Sequence, residues 1–117
     1  MILLLFLLSI DPRYHTFDEV AYELDSIASH YTEITKLDTI GYSCFDTLPL
    51  FALKISDNAR IDEDEPAILY IGCHHAEEIL GIEICMYMIE DLLSNYGSDS
   101  THTYWIDNRE IWFVPLM

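Results

Sequence analysis

Residues 70 to 84 read YIGCHHAEEILGIEI, and His74, His75, Glu77 and Glu78 stand there together between two apolar runs. Imidazole nitrogen and carboxylate oxygen both ligate zinc, at about 2.0 to 2.2 Å. Residues three apart share one face of a helix, so His75 with Glu78, or His74 with Glu77 one step earlier, could aim both donors at a single ion. A plainer role is open to the same residues, because acidic side chains favour a helix N-terminus and histidine can cap one. Spacing does not choose between these readings: 5 His and 10 Glu among 117 residues give about 0.4 His-x-x-Glu matches by chance.

The segment has to be held by its neighbours. Residues 67–72, AILYIG, are uniformly apolar, as expected of a strand covered on both faces, and Gly72 can turn the chain out of it. In an open α/β sheet functional groups gather beyond the carboxyl ends of strands, which is where the histidines then lie. From Ala76 to Asn95 the pattern is helical, with Glu83, Tyr87, Glu90 and Ser94 as a narrow polar stripe on an otherwise apolar cylinder suited to an interior. Its acidic residues and Gly81 count against a membrane span. Upstream, Thr16 and Glu19 form a capping box before a helix over about 17 to 31, whose apolar face is Val20, Leu24, Ile27, Ala28 and Tyr31. EITKLDTIGYS and LPLFALKIS are β-like and, with CFDT between them, fit an antiparallel hairpin. DNARIDEDEP and SNYGSDSTH read as solvated loops, and REIWFVPLM as a last β-like run.

Composition narrows the functions. Twenty-one Asp and Glu against five Lys and Arg leave a formal net charge of −16, so nothing could neutralise a row of nucleic-acid phosphates. Cys44, Cys73 and Cys85 show no CxxC spacing, and the simplest reading is buried thiols. The opening MILLLFLLSI has the length of an export-signal core and is too short to span a bilayer; it serves either as an atypical or remnant signal or as an N-terminal strand. The chain closes on Phe113, Val114, Pro115, Leu116 and Met117, in the middle of apolar sequence, and is expected to be a fragment of something longer.

Taken in order, the capped helix beginning YHTFDEV, the hairpin with LPLFALKISDN, the short strand, GCHHAEE, the long apolar helix and EIWFVPLM resemble the N-terminal part of a zinc carboxypeptidase of the carboxypeptidase A/B type. The resemblance covers nearly the whole chain after about residue 13. It implies an α/β fold with a mixed central sheet and flanking helices, truncated after its first strands. Residues 1–12 are then an apolar leader and residues 13–117 the front of a catalytic domain. It also implies Zn2+ as cofactor, a peptide substrate cut at its C-terminal residue, and an extracellular or periplasmic location.

Within that family the His-x-x-Glu pair supplies two of three zinc ligands, so the resemblance assigns His75 and Glu78 to the metal, with His74 a neighbour. Glu77 occupies the position where the family has a substrate-binding arginine, which puts that contact in doubt and leaves the metal pair untouched. The third ligand, the carboxylate-holding arginine, the pocket tyrosine and the general-base glutamate would all lie beyond Met117, so no catalytic residue is expected within the chain. Of the other histidines, His102 reads as exposed in a polar loop, and His15 and His30 as caps or surface residues beside the first helix; Arg109 reads as a solvated residue at a strand edge. Two further functions are compatible with the residues: a related zinc amidohydrolase that deacylates small acylated amino acids, and a non-catalytic module whose acidic surface engages a basic partner.

Overall fold

A computed structural model describes residues 11–117. The apolar run at residues 1–10, expected to be a signal or a strand, lies outside the described residues. The element order is α1 (Phe17–His30), β1 (Thr35–Tyr42), β2 (Pro49–Ile55), β3 (Ala67–Ile71), α2 (Leu80–Asn95), α3 (Ser100–Asp107) and β4 (Glu110–Val114).

The capping box forms as the sequence predicts. Thr16 Oγ1 accepts from the Glu19 amide at 3.3 Å, and the Glu19 carboxylate accepts from the Thr16 amide at 2.8 Å, satisfying two amides that a helix start leaves orphaned. Val20 and Leu24 are buried, while Ile27, Ala28 and Tyr31 pack at the margin of the core. β1 and β2 pair as the expected antiparallel hairpin, with Thr35 opposite Ile55 and Tyr42 opposite Pro49. β4 then pairs antiparallel with β2 and parallel with β3, giving a mixed four-stranded sheet in the order β1-β2-β4-β3. Leu24 of α1, Leu53 and Ile55 of β2, Ile89 of α2, Ile106 of α3 and Phe113 of β4 are each sealed from solvent in one continuous core, so all three helices share it with the sheet.

Four expectations are corrected. β3 is a strand, but Ile68, Leu69 and Tyr70 are exposed: among the described residues it has a single neighbour, β4, and sits at an edge of the sheet. Apolar residues supply the capacity to be covered, and position in the sheet decides whether they are. α2 begins at Leu80 and not at Ala76, and Leu80 and Ile84 face solvent, because the helix lays only the face of Ile82, Cys85, Met86, Ile89, Leu92 and Leu93 on the core. Residues 100–102, expected as the end of a loop, open α3; its N-cap is Asp99, whose carboxylate accepts from the amides of Thr101 and His102. Cys44 is exposed, whereas Cys73 and Cys85 are buried as expected.

Two contacts fix the frame around the segment of interest. At the end of β3, Gly72 donates its amide to Val114 O at 2.9 Å, prolonging the ladder by one bond. A β-carbon on Gly72 would lie 2.6 Å from Gly81 O and 2.6 Å from Pro115 O, and one on Gly81 would lie 2.9 Å from Cys73 N. The first turn of α2 therefore rests directly on the backbone leaving β3, an approach only glycine permits. On the other side of β4, Lys54 and Glu110 form an ion pair with side chains 4% and 8% exposed. Lys54 Nζ also donates to Ile61 O, and Glu110 Oε1 accepts from the Glu63 amide, so the pair pins the loop over residues 56–66 to the sheet.

Lys54→Met strands the Glu110 carboxylate and is expected to cost about 3 to 5 kcal/mol in urea unfolding, while Lys54→Met with Glu110→Leu recovers most of that loss. The Lys54 ammonium, then the Glu63 amide, hold the Glu110 carboxyl below its ordinary value of 4.5. The stabilisation is complete above that value and is lost as pH falls through the lowered one, a loss that the double variant is expected not to show in acid titration. Gly72→Ala meets two carbonyls and Gly81→Ala one amide nitrogen, so overpacking is expected to cost about 3 kcal/mol or more at Gly72 and less at Gly81. Thermal unfolding of the two variants would show the order, and equal costs would mean the helix can slide.

Candidate metal centre

Leaving Gly72, the chain takes a left-handed step at Cys73, with φ of 47°, a conformation that is costly for a side-chain-bearing residue and reverses its direction. Cys73 Sγ donates to His75 O at 3.3 Å and steadies this step from within. The Glu78 amide then donates to His75 O at 2.9 Å and the Gly81 amide to Glu78 O at 3.1 Å, so residues 75–81 are successive tight turns that deliver the chain into α2. α2 has no side-chain cap: its N-cap is Ile79. No side chain of the turn caps α2, although Glu77 and Glu78 stand just before its first turn, where a helix N-terminus favours negative charge.

The turn brings His75 and Glu78 together. His75 Nδ1 lies 3.0 Å from Glu78 Oε1, and the His75 amide donates to Glu78 Oε2 at 3.2 Å. The two side chains are 70% and 51% exposed, on an open surface just past the carboxyl end of β3. The His75 ring, followed by its amide, holds the Glu78 carboxyl below its ordinary value, so the oxygen facing the imidazole is a carboxylate through the neutral range. His74 and Glu77 are exposed on the same turn. The nearby Cys73 thiol is pushed up by burial and then by Glu78 and Glu77, which disfavours the thiolate a metal would need.

Three other predicted positions are placed elsewhere. His102 is not in an exposed loop: it lies half-buried in α3 with Nδ1 2.6 Å from Asp99 Oδ1 and Nε2 2.9 Å from Asp91 Oδ2, so both ring nitrogens are engaged and neither is available as a third ligand to His75 and Glu78. His15 caps nothing; its ring lies between Glu83 of α2 and Glu23 of α1. Arg109 rests over the Tyr104 ring at 5.9 Å and donates to Asn108 O, half-buried just before the inner strand β4 and not solvated at a sheet edge as expected.

One grouping escaped the sequence reading. In the loop after β2, expected to be merely solvated, Asp57, Glu63 and Glu65 each bring an oxygen within 4.8 Å of the others. Glu65 Oε2 is enclosed without a hydrogen-bond partner among the described residues, and burial, followed by neighbouring carboxylates, raises both Asp57 and Glu65 above their ordinary values. The alternation Asp62-Glu63-Asp64-Glu65 was the available signal, but the Lys54 and Glu110 tether, with the bonds from Ser56 and Asn58 to Glu63, folds the loop back so that these groups meet Asp57.

Known proteins share this arrangement of strand, turn and helix. The family model described as zinc carboxypeptidase matches residues 20–117. A zinc carboxypeptidase of Saccharothrix mutabilis subsp. capreolus is 34% identical over 104 residues, which are 89% of this chain and 24% of that protein. Human carboxypeptidase D is 34% identical over 108 residues, 92% of this chain and 8% of its own length. The chain thus spans a quarter or less of these relatives. In fold, it superposes on the crystal structure of thrombin activatable fibrinolysis inhibitor with a TM-score of 0.78 at 21% identity, over 88% of this chain and 25% of that one. Carboxypeptidase A from Helicoverpa armigera gives 0.77 at 21% identity, over 88% and 24%. The family match takes in both glycines of the helix seat and the turn between them, and the chain belongs to the zinc carboxypeptidase family.

Proposed function

We propose that residues 13–117 are the front part of a catalytic domain that removes C-terminal residues from peptides, and that His75 and Glu78 are two of its zinc ligands. The observation that carries this reading is the meeting of His75 Nδ1 and Glu78 Oε1, 3.0 Å apart on an exposed turn. Two donors about 2.0 to 2.1 Å from a tetrahedral zinc stand about 3.3 Å apart, so the pair accepts the ion by opening a few tenths of an ångström. The donor set also fits: one imidazole nitrogen and one carboxylate oxygen, the carboxylate already ionised and its second oxygen tied to the His75 amide. Bound there, zinc would supply a Lewis acid for the scissile carbonyl and a lowered pKa for water.

The chain's own part in the reaction is to place these two ligands and to leave the rest of the coordination sphere open. The Gly72 and Gly81 contact fixes the turn from below, and the exposure of His75 and Glu78 leaves the outer side for substrate. Glu77 is exposed on the same turn, so a substrate's terminal carboxylate would meet a like charge unless a cation elsewhere in the protein holds it. An extracellular or periplasmic setting is part of the same proposal.

With two ligands where a catalytic zinc has three, the 117-residue chain is expected to bind zinc weakly and to show no peptidase activity. Competition against a chromophoric chelator tests this. Weak binding that falls at least about tenfold with His75→Ala or Glu78→Gln, and is unmoved by His102→Ala, supports the pair; changes outside the ligand shell already cost ten- to a hundredfold. A tight stoichiometric complex would refute the two-ligand reading, and binding indifferent to His75→Ala would remove the assignment.

A further inference from the structure

α2 carries the His75 and Glu78 turn at its head, and two histidines fasten the helix to its neighbours at opposite ends. Near its start, His15 Nδ1 stands 2.9 and 2.8 Å from the two oxygens of Glu83, and the His15 amide donates to the same carboxylate at 2.7 Å. The other ring nitrogen, Nε2, stands 3.1 Å from Glu23 on α1. Near the end of α2, His102 sets one nitrogen against Asp91 on that helix and the other against Asp99, the N-cap of α3.

The chemistry of the ring makes these contacts conditional. A neutral imidazole has one N–H and one lone pair, so between two carboxylates it donates once and turns a lone pair on the other; only the imidazolium donates on both sides. The remaining groups in reach are mostly acidic or neutral. Glu90, Tyr22 and Tyr87 line the groove that His15 faces, Glu19 lies within its electrostatic reach, and Cys73 adjoins its other side. His102 leans on Trp105, and Arg109 is turned onto Tyr104.

We propose that His15 and His102 act as two proton-operated staples, closed only while each ring carries both protons, so that α2 is fastened to α1 and α3 in mild acid and loosened in mild alkali. The direction is consistent with the titration of both rings. For His15, burial opposes the charge and is outweighed by Glu83 and Glu23, and for His102, Asp99 and then Asp91 favour it; both are raised above the ordinary 6.5. A raised histidine contributes stability that is full below 6.5 and disappears as pH climbs through the higher folded value. The inference stands independently of zinc, since it concerns how the helix layer is held.

Exchange of the imidazole Cε1 hydrogen, followed by mass spectrometry across pH, reads each histidine in the native 117-residue chain and in the same chain in urea. His15 and His102 are expected to titrate higher in the native chain than in urea. Backbone amide exchange over residues 80–95, corrected for its intrinsic pH dependence, is expected to quicken several-fold between pH 6 and pH 8.5. Glu83→Gln and Asp91→Asn, which leave the rings in place and remove one partner of each, are expected to bring both histidines back toward their urea values and to flatten the pH response of α2. Native titration no higher than in urea, or α2 exchange that is independent of pH in the unaltered chain, would overturn the proposal.

Discussion

Where Gly72 faces Gly81, backbone meets backbone with no side chain between, and the geometry of the turn that bears His75 and Glu78 depends on that contact. It seats the first turn of α2 against the end of β3 and leaves eight residues, 73–80, to cover almost no distance. So short a closed excursion cannot be helical throughout, and the chain answers with a left-handed step at Cys73 and tight turns from His75 onward. Side chains on the outside of such a turn are pushed into solvent, and these are His74, His75, Glu77 and Glu78. Burial of Cys73 and exposure of the histidine that follows it have one cause.

Features written in local pattern were legible in the sequence, and features made by distant partners were not. Thr16 and Glu19 are three residues apart and specify their capping box on their own, as the alternating runs on either side of CFDT specify a hairpin. The His75 and Glu78 pairing could likewise be anticipated from spacing, although a turn supplies it where a helix was expected. α3 was missed because Ser, Thr and His are weak helix formers, and Asp99, the one local signal for its start, sits in a stretch of turn-favouring residues. His15 and Glu83 lie 68 residues apart and Lys54 and Glu110 lie 56 apart; no window of sequence contains either pair, so neither the histidine's role nor the folded-back acidic loop could be read locally.

The acidity of the chain gives its cations unusual weight. Arg13 and Lys36 are spent on near neighbours, Asp11 and Asp38, as exposed pairs that contribute little. Lys54 alone is buried, and it donates to Ile61 O and to Glu110, whose carboxylate also accepts from the Glu63 amide. With so few permanent positive charges, the contacts between helices fall to imidazoles, whose charge is not permanent. A sheet joined by a lysine and a helix layer joined by histidines respond differently to the medium, although both belong to one core.

Among the described residues β4 follows the other three strands in sequence and lies between β2 and β3 in the sheet. Until residues 110–114 have been made, β3 has no partner on either edge, Glu110 is not there to meet Lys54, and Val114 and Pro115 are not there to receive Gly72. Pairings that close so much intervening chain are slow, because loop entropy must be spent before the contacts return it. On a ribosome, the hairpin and α1 can form from local contacts as they emerge, while the turn bearing His75 and Glu78 remains unformed until more than thirty further residues have followed it. The turn that bears His75 and Glu78 therefore takes its geometry only once β4 has joined the sheet, and a nascent chain would have no fixed turn there to offer an ion before that.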